Sequence, residues 1–208
     1  MAFNRVVLAS SLLLIFGAVF GTLGDAFHVL SQTDGYTPTS LAIPATGQPF
    51  WVPLLFGSAT FLIGMTHSLA DAVIGPKNRP ARTWRNCILS NSSFLLLYAA
   101  SGFLPLSTGG MKDWVLAMGA FGVWAIFGKT WQSILLGIGT AAVGTIFEMY
   151  LVHQGAFFYY PSVANLNGVP SWLPWLYVAA SVSVGDMGRL FMQRTQVLRP
   201  MRRQLVCL

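Results

Sequence analysis

The chain has 208 residues, of which 54% are hydrophobic and only 9% charged, and its mean hydropathy is +0.62. That balance excludes an ordinary soluble domain, where about 25% of residues are charged. The net charge of +6 would suit nucleic acid, but its placement along the chain follows membrane topology instead.

About 20 apolar residues cross a bilayer core, and six such segments are read at about 6–27, 50–71, 86–104, 111–128, 131–152 and 171–192. The chain is therefore expected to be an all-α integral membrane protein, a bundle of six transmembrane helices forming one domain over 1–208. The first span follows Arg5, is too long for a signal peptide, and carries the small-xxx-small pair Gly17 and Gly21. Asp25 and His28 stand at its outer end, before a Gly/Pro/Thr-rich loop. The second span opens on Trp51-Val52-Pro53 and stops at Asp71, and Lys77, Arg79, Arg82 and Arg85 make the following link basic. The third carries the polar run Ser90–Ser93 just before Phe94. The fourth is short and starts with Lys112 and Asp113, and Lys129 sits in the tight link to the fifth. The last span opens on Ser171-Trp172-Leu173-Pro174 and closes on Gly185-Asp186-Met187-Gly188-Arg189.

With six spans, both termini share a side, and every Lys and Arg except Lys112 falls on it. The positive-inside rule makes that side cytoplasmic. The basic links could also attract anionic headgroups, although topology alone accounts for them. No internal repeat supports a repeat-built transporter.

Cys87 and Cys207 form neither a disulfide framework nor a metal-ligand spacing, and no prenylation motif ends the chain. His28, His67 and His153 lie in different segments, so no metal site is expected and all three read as interfacial. The glycines at 137, 139 and 144 imitate nucleotide-binding motifs but lack the required lysine or preceding strand, so they read as helix-packing residues. Glu148 is the acid well inside a span, and two readings stand. One is a functional group in an internal cavity; the other is an interfacial carboxylate held by a Tyr or Ser of a neighbouring helix. Asp186 and Arg189 are three residues apart and can meet on one face, with Asp71 at the same depth, which reads as a structural knot at the cytoplasmic boundary. No set of nucleophile, base and oxyanion donors is evident, so no catalytic residue or cofactor is assigned.

The closing motif resembles that of the Insig (insulin-induced gene) family, whose last helix has the same Ser-Trp-Leu-Pro opening and a Gly-Asn-x-Gly-Arg ending, with Asp186 here in place of Asn. The resemblance runs through Trp51-Val52-Pro53, Gly57, Gly64, Asp71, Arg82-x-Trp84, Phe94, Trp124, Gly137, Gly139, Val152, Gly155 and Tyr159. It implies a small lipid-responsive regulator rather than an enzyme. The expected ligand is a sterol or another neutral lipid such as diacylglycerol, held between helices. By family position Phe94 is the sensing residue, and Met111 stands where the family has a Gln. Tyr98, Ser101, Val115, Met118 and Glu148 are grouped with them by helical spacing and family position. The family's Phe-Asp-Arg after the fourth span becomes Phe127-Gly128-Lys129, which argues against a Scap-type partner; a homo-oligomer remains open. A bacterial homologue would sit in the plasma membrane and a eukaryotic one in the endoplasmic reticulum. The alternative is a small membrane enzyme or a proton-coupled transporter working through Glu148.

Overall fold

Long apolar runs punctuated by Pro, Gly and capping hydroxyls give six helices in the computed structural model, which describes residues 2–38, 41–74 and 82–195. They are α1 (Ala2–Leu30), α2 (Trp51–Val73), α3 (Trp84–Phe103), α4 (Met111–Val123), α5 (Trp131–His153) and α6 (Leu173–Arg194). Thr83 and Thr130 start α3 and α5 by accepting from the backbone N–H of Asn86 and Ser133, each at 3.2 Å, as N-cap hydroxyls do. Pro174 occupies the first turn of α6, where its missing N–H is harmless. The fourth expected span is divided: α4 gives way to a π-helical turn, Trp124–Gly128, that ends on Lys129 with φ 54°. The expected basic link at 75–81 and the tail at 196–208 lie outside the described residues.

By length and composition α1, α2 and α5 are apolar enough to cross a membrane. The other three depart from that pattern for visible reasons. α4 has 13 residues before its π turn, α3 carries Ser90, Asn91 and Ser93, and α6 carries Asp186 and Arg189 among several serines. The last of these is the axis of the bundle, with every residue from Ala179 to Met192 buried. Its polar residues face neighbouring helices, not lipid.

Small residues make that burial possible. A Cβ on Gly188 would lie 2.5 Å from the Gly64 Cα and O, so α2 and α6 touch backbone to backbone. A Cβ on Gly57 would lie 2.8 Å from the Leu14 carbonyl, which sets the close approach of α1 and α2. In lipid, where no hydrophobic drive joins helices, such contacts carry much of the association.

The starts of α1 and α3 and the end of α6 share one apolar cluster, built on Ala9, Leu13, Cys87 and Leu190. Asp71 at the end of α2 and Gln132 at the start of α5 lie at the same end of the bundle. At the opposite end the two long loops pair as β1 (Asp34–Gly35) and β2 (Phe158–Tyr159), antiparallel, with Asp34 opposite Tyr159. The first and last helices thus place their outer ends, with Arg5 and Arg194, on one side.

Candidate functional site

Helices α2 and α5 both lean on α6. A hydrogen bond from Gln132 Nε2 to Asp71 Oδ1 (2.9 Å) joins them at the basic end. Beyond it they diverge around a cavity of about 670 Å³. Phe56, Ala59 and Ile63 form one wall, Leu136, Gly139 and Val143 the other, and Ala180 and Val184 of α6 the floor. Leu62, Leu135 and Val143 line it yet are 61%, 55% and 71% exposed. The mouth therefore opens sideways on the outer face of the bundle, between α2 and α5.

The end of the cavity toward the paired loops is polar. Asp25, Asp34 and Glu148 line it together with Tyr36, Tyr98, Tyr159 and Tyr177. Asp25 Oδ2 accepts from the Tyr36 hydroxyl at 2.7 Å and from Gln48 Nε2 at 2.6 Å. Glu148 accepts from the Tyr159 and Tyr177 hydroxyls, both at 2.5 Å. These donors answer the desolvation of two buried carboxyl groups. His28 packs on Tyr98, with ring centroids 4.3 Å apart, and its Nε2 lies 2.7 Å from Ser101 Oγ. Ser101 gives its own proton to the Tyr98 carbonyl at 2.7 Å, so its oxygen accepts from the imidazole. That fixes the proton on Nε2 and turns Nδ1 toward Asp34 Oδ2, 3.5 Å away. The other Asp34 oxygen has no hydrogen-bond partner among the described residues, although the residue is only 2% exposed. Burial, reinforced by the nearby Glu148, pushes the Asp34 carboxyl well above its ordinary range. Burial likewise raises the phenols of Tyr36 and Tyr159.

Farther along the cavity, His67 Nε2 meets Ser181 Oγ at 2.8 Å, and Thr140 Oγ1 lies 3.1 Å from the same serine. A Cβ on Gly185 would stand 2.6 Å from the His67 ring, so the glycine makes room for it. His28 and His67, expected at the interface, are instead buried, because serines of neighbouring helices supply their polar contacts.

Of the residues singled out from sequence, Phe94, Tyr98 and Glu148 line the cavity. Phe94 and Tyr98 meet edge to face at 5.8 Å. Ser101 lies behind the wall and acts on it through His28. Met111, Val115 and Met118 are exposed and are not among the cavity-lining residues; α4 turns Leu116, Ala120 and Val123 inward. Asp71, Asp186 and Arg189 come together at the basic end. Arg189 Nε donates to Asp71 Oδ2 at 2.6 Å and Nη1 to Asp186 Oδ1 at 3.3 Å, and Arg82 Nη2 reaches Asp186 Oδ1 at 3.0 Å. The sequence reading did not place Asp25, Asp34 and Tyr36 in a site. Asp25 and His28, three apart at the end of an apolar helix, were the available signal.

No family model matches the chain. It is similar to the insulin-induced gene 1 protein of Xenopus laevis, 25% identical over 186 residues that cover 89% of this chain and 73% of the relative. The human insulin-induced gene 1 protein is 23% identical over the same length, covering 66% of the relative. In structure the chain resembles the mycobacterial Insig homolog MvINS from Mycobacterium vanbaalenii, with a TM-score of 0.78 and 25% identity over 89% of this chain and 95% of that one. A cross-linked trimer of MvINS matches with the same TM-score at 24% identity. The resemblance carried by the motifs from Trp51 to Arg189 thus extends to 89% of the chain and to the fold.

Proposed function

We propose that this Insig-like six-helix membrane protein is a lipid-binding sensor that holds one neutral lipid, a sterol or a diacylglycerol, in the cavity between α2, α5 and α6. One observation carries the reading: an apolar cavity of about 670 Å³ with a polar inner end and a mouth on the lipid-facing surface. Small-molecule sites commonly fall in the range of roughly 300–1,000 Å³, with few polar groups. A lipid can enter such a mouth laterally without crossing water. Phe94 and Tyr98 contact it, Glu148 sits at its polar end, and Ser101 supports that end through His28. Occupancy biases the bundle toward one arrangement by as much as the ligand prefers it, and that bias is the signal. The basic end faces the cytoplasm, in keeping with its Lys and Arg residues.

Lipids that survive purification in mild detergent, identified by mass spectrometry, test this directly. One stoichiometric neutral lipid is expected, displaced by oxysterol or diacylglycerol and depleted in Phe94→Ala. Bulk phospholipid alone, with no displacement, would overturn it.

A second reading, a proton-coupled or enzymatic step at Glu148, draws on the burial of this carboxyl between two tyrosines. Glu148→Gln separates the two. A binding protein keeps its lipid, whereas a proton-dependent activity collapses.

As partners we propose further copies of this chain, in line with the trimeric mycobacterial homologue. A Scap-type partner fits poorly. Where that family carries Asp, Gly128 is buried, and a Cβ there would stand 2.6 Å from Ser133 Oγ and 2.7 Å from the Trp124 ring.

A further inference from the structure

The polar end of the cavity holds three carboxyl groups, and the hydroxyls of Tyr36, Tyr159 and Tyr177 are already given to two of them. Asp25 and Glu148 are each met by two donors from the protein. Asp34 is not. Its side chain lines the cavity, its Oδ2 faces His28 Nδ1, and its buried Oδ1 has no hydrogen-bond partner among the described residues. A buried acceptor left without a donor is costly, and a donor carried by a ligand headgroup would meet it. The cation nearest this end, Lys112, is held behind the wall by the Ser101 carbonyl at 3.1 Å. It does not line the cavity. Three carboxyl groups therefore face the ligand with no fixed cation lining the same space among the described residues.

The geometry points to a headgroup rule: the cavity takes lipids whose head donates a hydrogen bond to Asp34, a hydroxyl or an ammonium, and rejects anionic or donor-free heads. This rests on the lipid-binding reading above and deepens it by assigning the headgroup to the Asp34 end. The tail then runs along Phe94 and between Ile63 and Val143 toward the mouth. A phosphate or carboxylate head would bring a charge and only acceptors into a desolvated end already lined by the carboxyl oxygens of Asp34, Asp25 and Glu148. An ester head would leave the Asp34 oxygen unmet.

The test uses four probes with one C18 tail, oleyl alcohol, oleylamine, methyl oleate and oleate at pH 8, in native mass spectrometry of the full chain. Oleyl alcohol and oleylamine are expected to bind at least about tenfold more tightly than methyl oleate or oleate, the size of effect that one unsatisfied buried acceptor produces. In Asp34→Asn, whose amide can donate to an ester carbonyl, the gap between oleyl alcohol and methyl oleate should shrink to about threefold or less. Equal binding of all four by the wild-type chain would overturn the headgroup rule and leave the lipid cavity standing. No binding of any probe would sink the lipid reading and the rule with it. A gap that persists in a folded Asp34→Asn protein would also overturn the assignment, since Asp34 would not be the acceptor. The wild-type series decides the matter even if that variant does not fold.

Discussion

Replacing Arg189 with Met tests whether the basic end is fastened by charge. Arg189 projects from α6 with only 6% of its side chain exposed, gives two hydrogen bonds to Asp71 (2.6 and 3.1 Å) and a third to Asp186 (3.3 Å). Met keeps the length and the apolar stem while removing the guanidinium. Asp186 then keeps Arg82 at 3.0 Å, and Asp71 keeps Gln132 at 2.9 Å. Removing one partner of a buried pair destabilises by about 3–5 kcal/mol. Because Asp71 is 16% exposed and retains a donor, the lower end applies, about 3 kcal/mol. For a chain of this size each kcal/mol moves the melting point by about 2–4 °C, so the variant should melt about 6–12 °C below wild type. Thermal unfolding in mild detergent, followed by circular dichroism, reads this directly. Adding Asp71→Asn to Arg189→Met should recover part of the loss, because the carboxylate that faced the guanidinium is then neutral. A melting point within about 2 °C of wild type, or losses that simply add in the double variant, would refute the argument.

Gly188→Ala drives a methyl into the Gly64 backbone 2.5 Å away. It should destabilise by about 1–3 kcal/mol, as overpacking does; an unchanged melting curve would contradict the close α2–α6 contact. Gly139 also lines the cavity, but a Cβ there meets no atom within 4 Å. Gly139→Leu should therefore fold with the same helical circular dichroism as wild type while losing co-purified neutral lipid, and full lipid occupancy would count against the cavity as the binding site.

The helices were legible in the sequence because their limits are chemical: Thr130 caps α5 and Pro174 opens α6. The basic-end knot was legible as well, since Asp186 and Arg189 lie three apart and Asp71 ends a span. What the chain did not reveal is which way α4 faces. Beyond Lys112 and Asp113 that helix is apolar all round, with Leu116 and Ala120 inward and Trp114 and Met118 outward, so no amphipathic pattern exists to orient it. Helical spacing and family position grouped Met111, Val115 and Met118 with the cavity, while the packing turns them outward. The polar end was hidden for another reason. His28 finds Ser101 73 residues away, and Asp34 finds Tyr159 only through the pairing of two loops. Local sequence reads His28 as an interfacial residue and gives Asp34 no role; the fold gathers them.

The cavity persists because each of its walls is fixed on α6. α2 is set on α6 by the Gly64–Gly188 contact and by Asp71 with Arg189, while α5 is seated by Gly137 against Val178 and Gly144 against Tyr177. At the far end the β1–β2 pairing holds the loops that follow α1 and precede α6. Closing the gap between α2 and α5 would require lifting one of them off α6, at the loss of backbone contacts that no side-chain rotation replaces. A ligand entering between them therefore meets a preformed space and spends little of its binding energy on ordering the protein. The stability it adds is set by its concentration relative to Kd, about 2.7 kcal/mol at a hundredfold excess, and it acts on the walls it touches. Those walls, α2 and α5 at the mouth, also form part of the outer surface of the bundle, so under the proposed lipid-sensing function occupancy would be read from outside without any large rearrangement of the central helix.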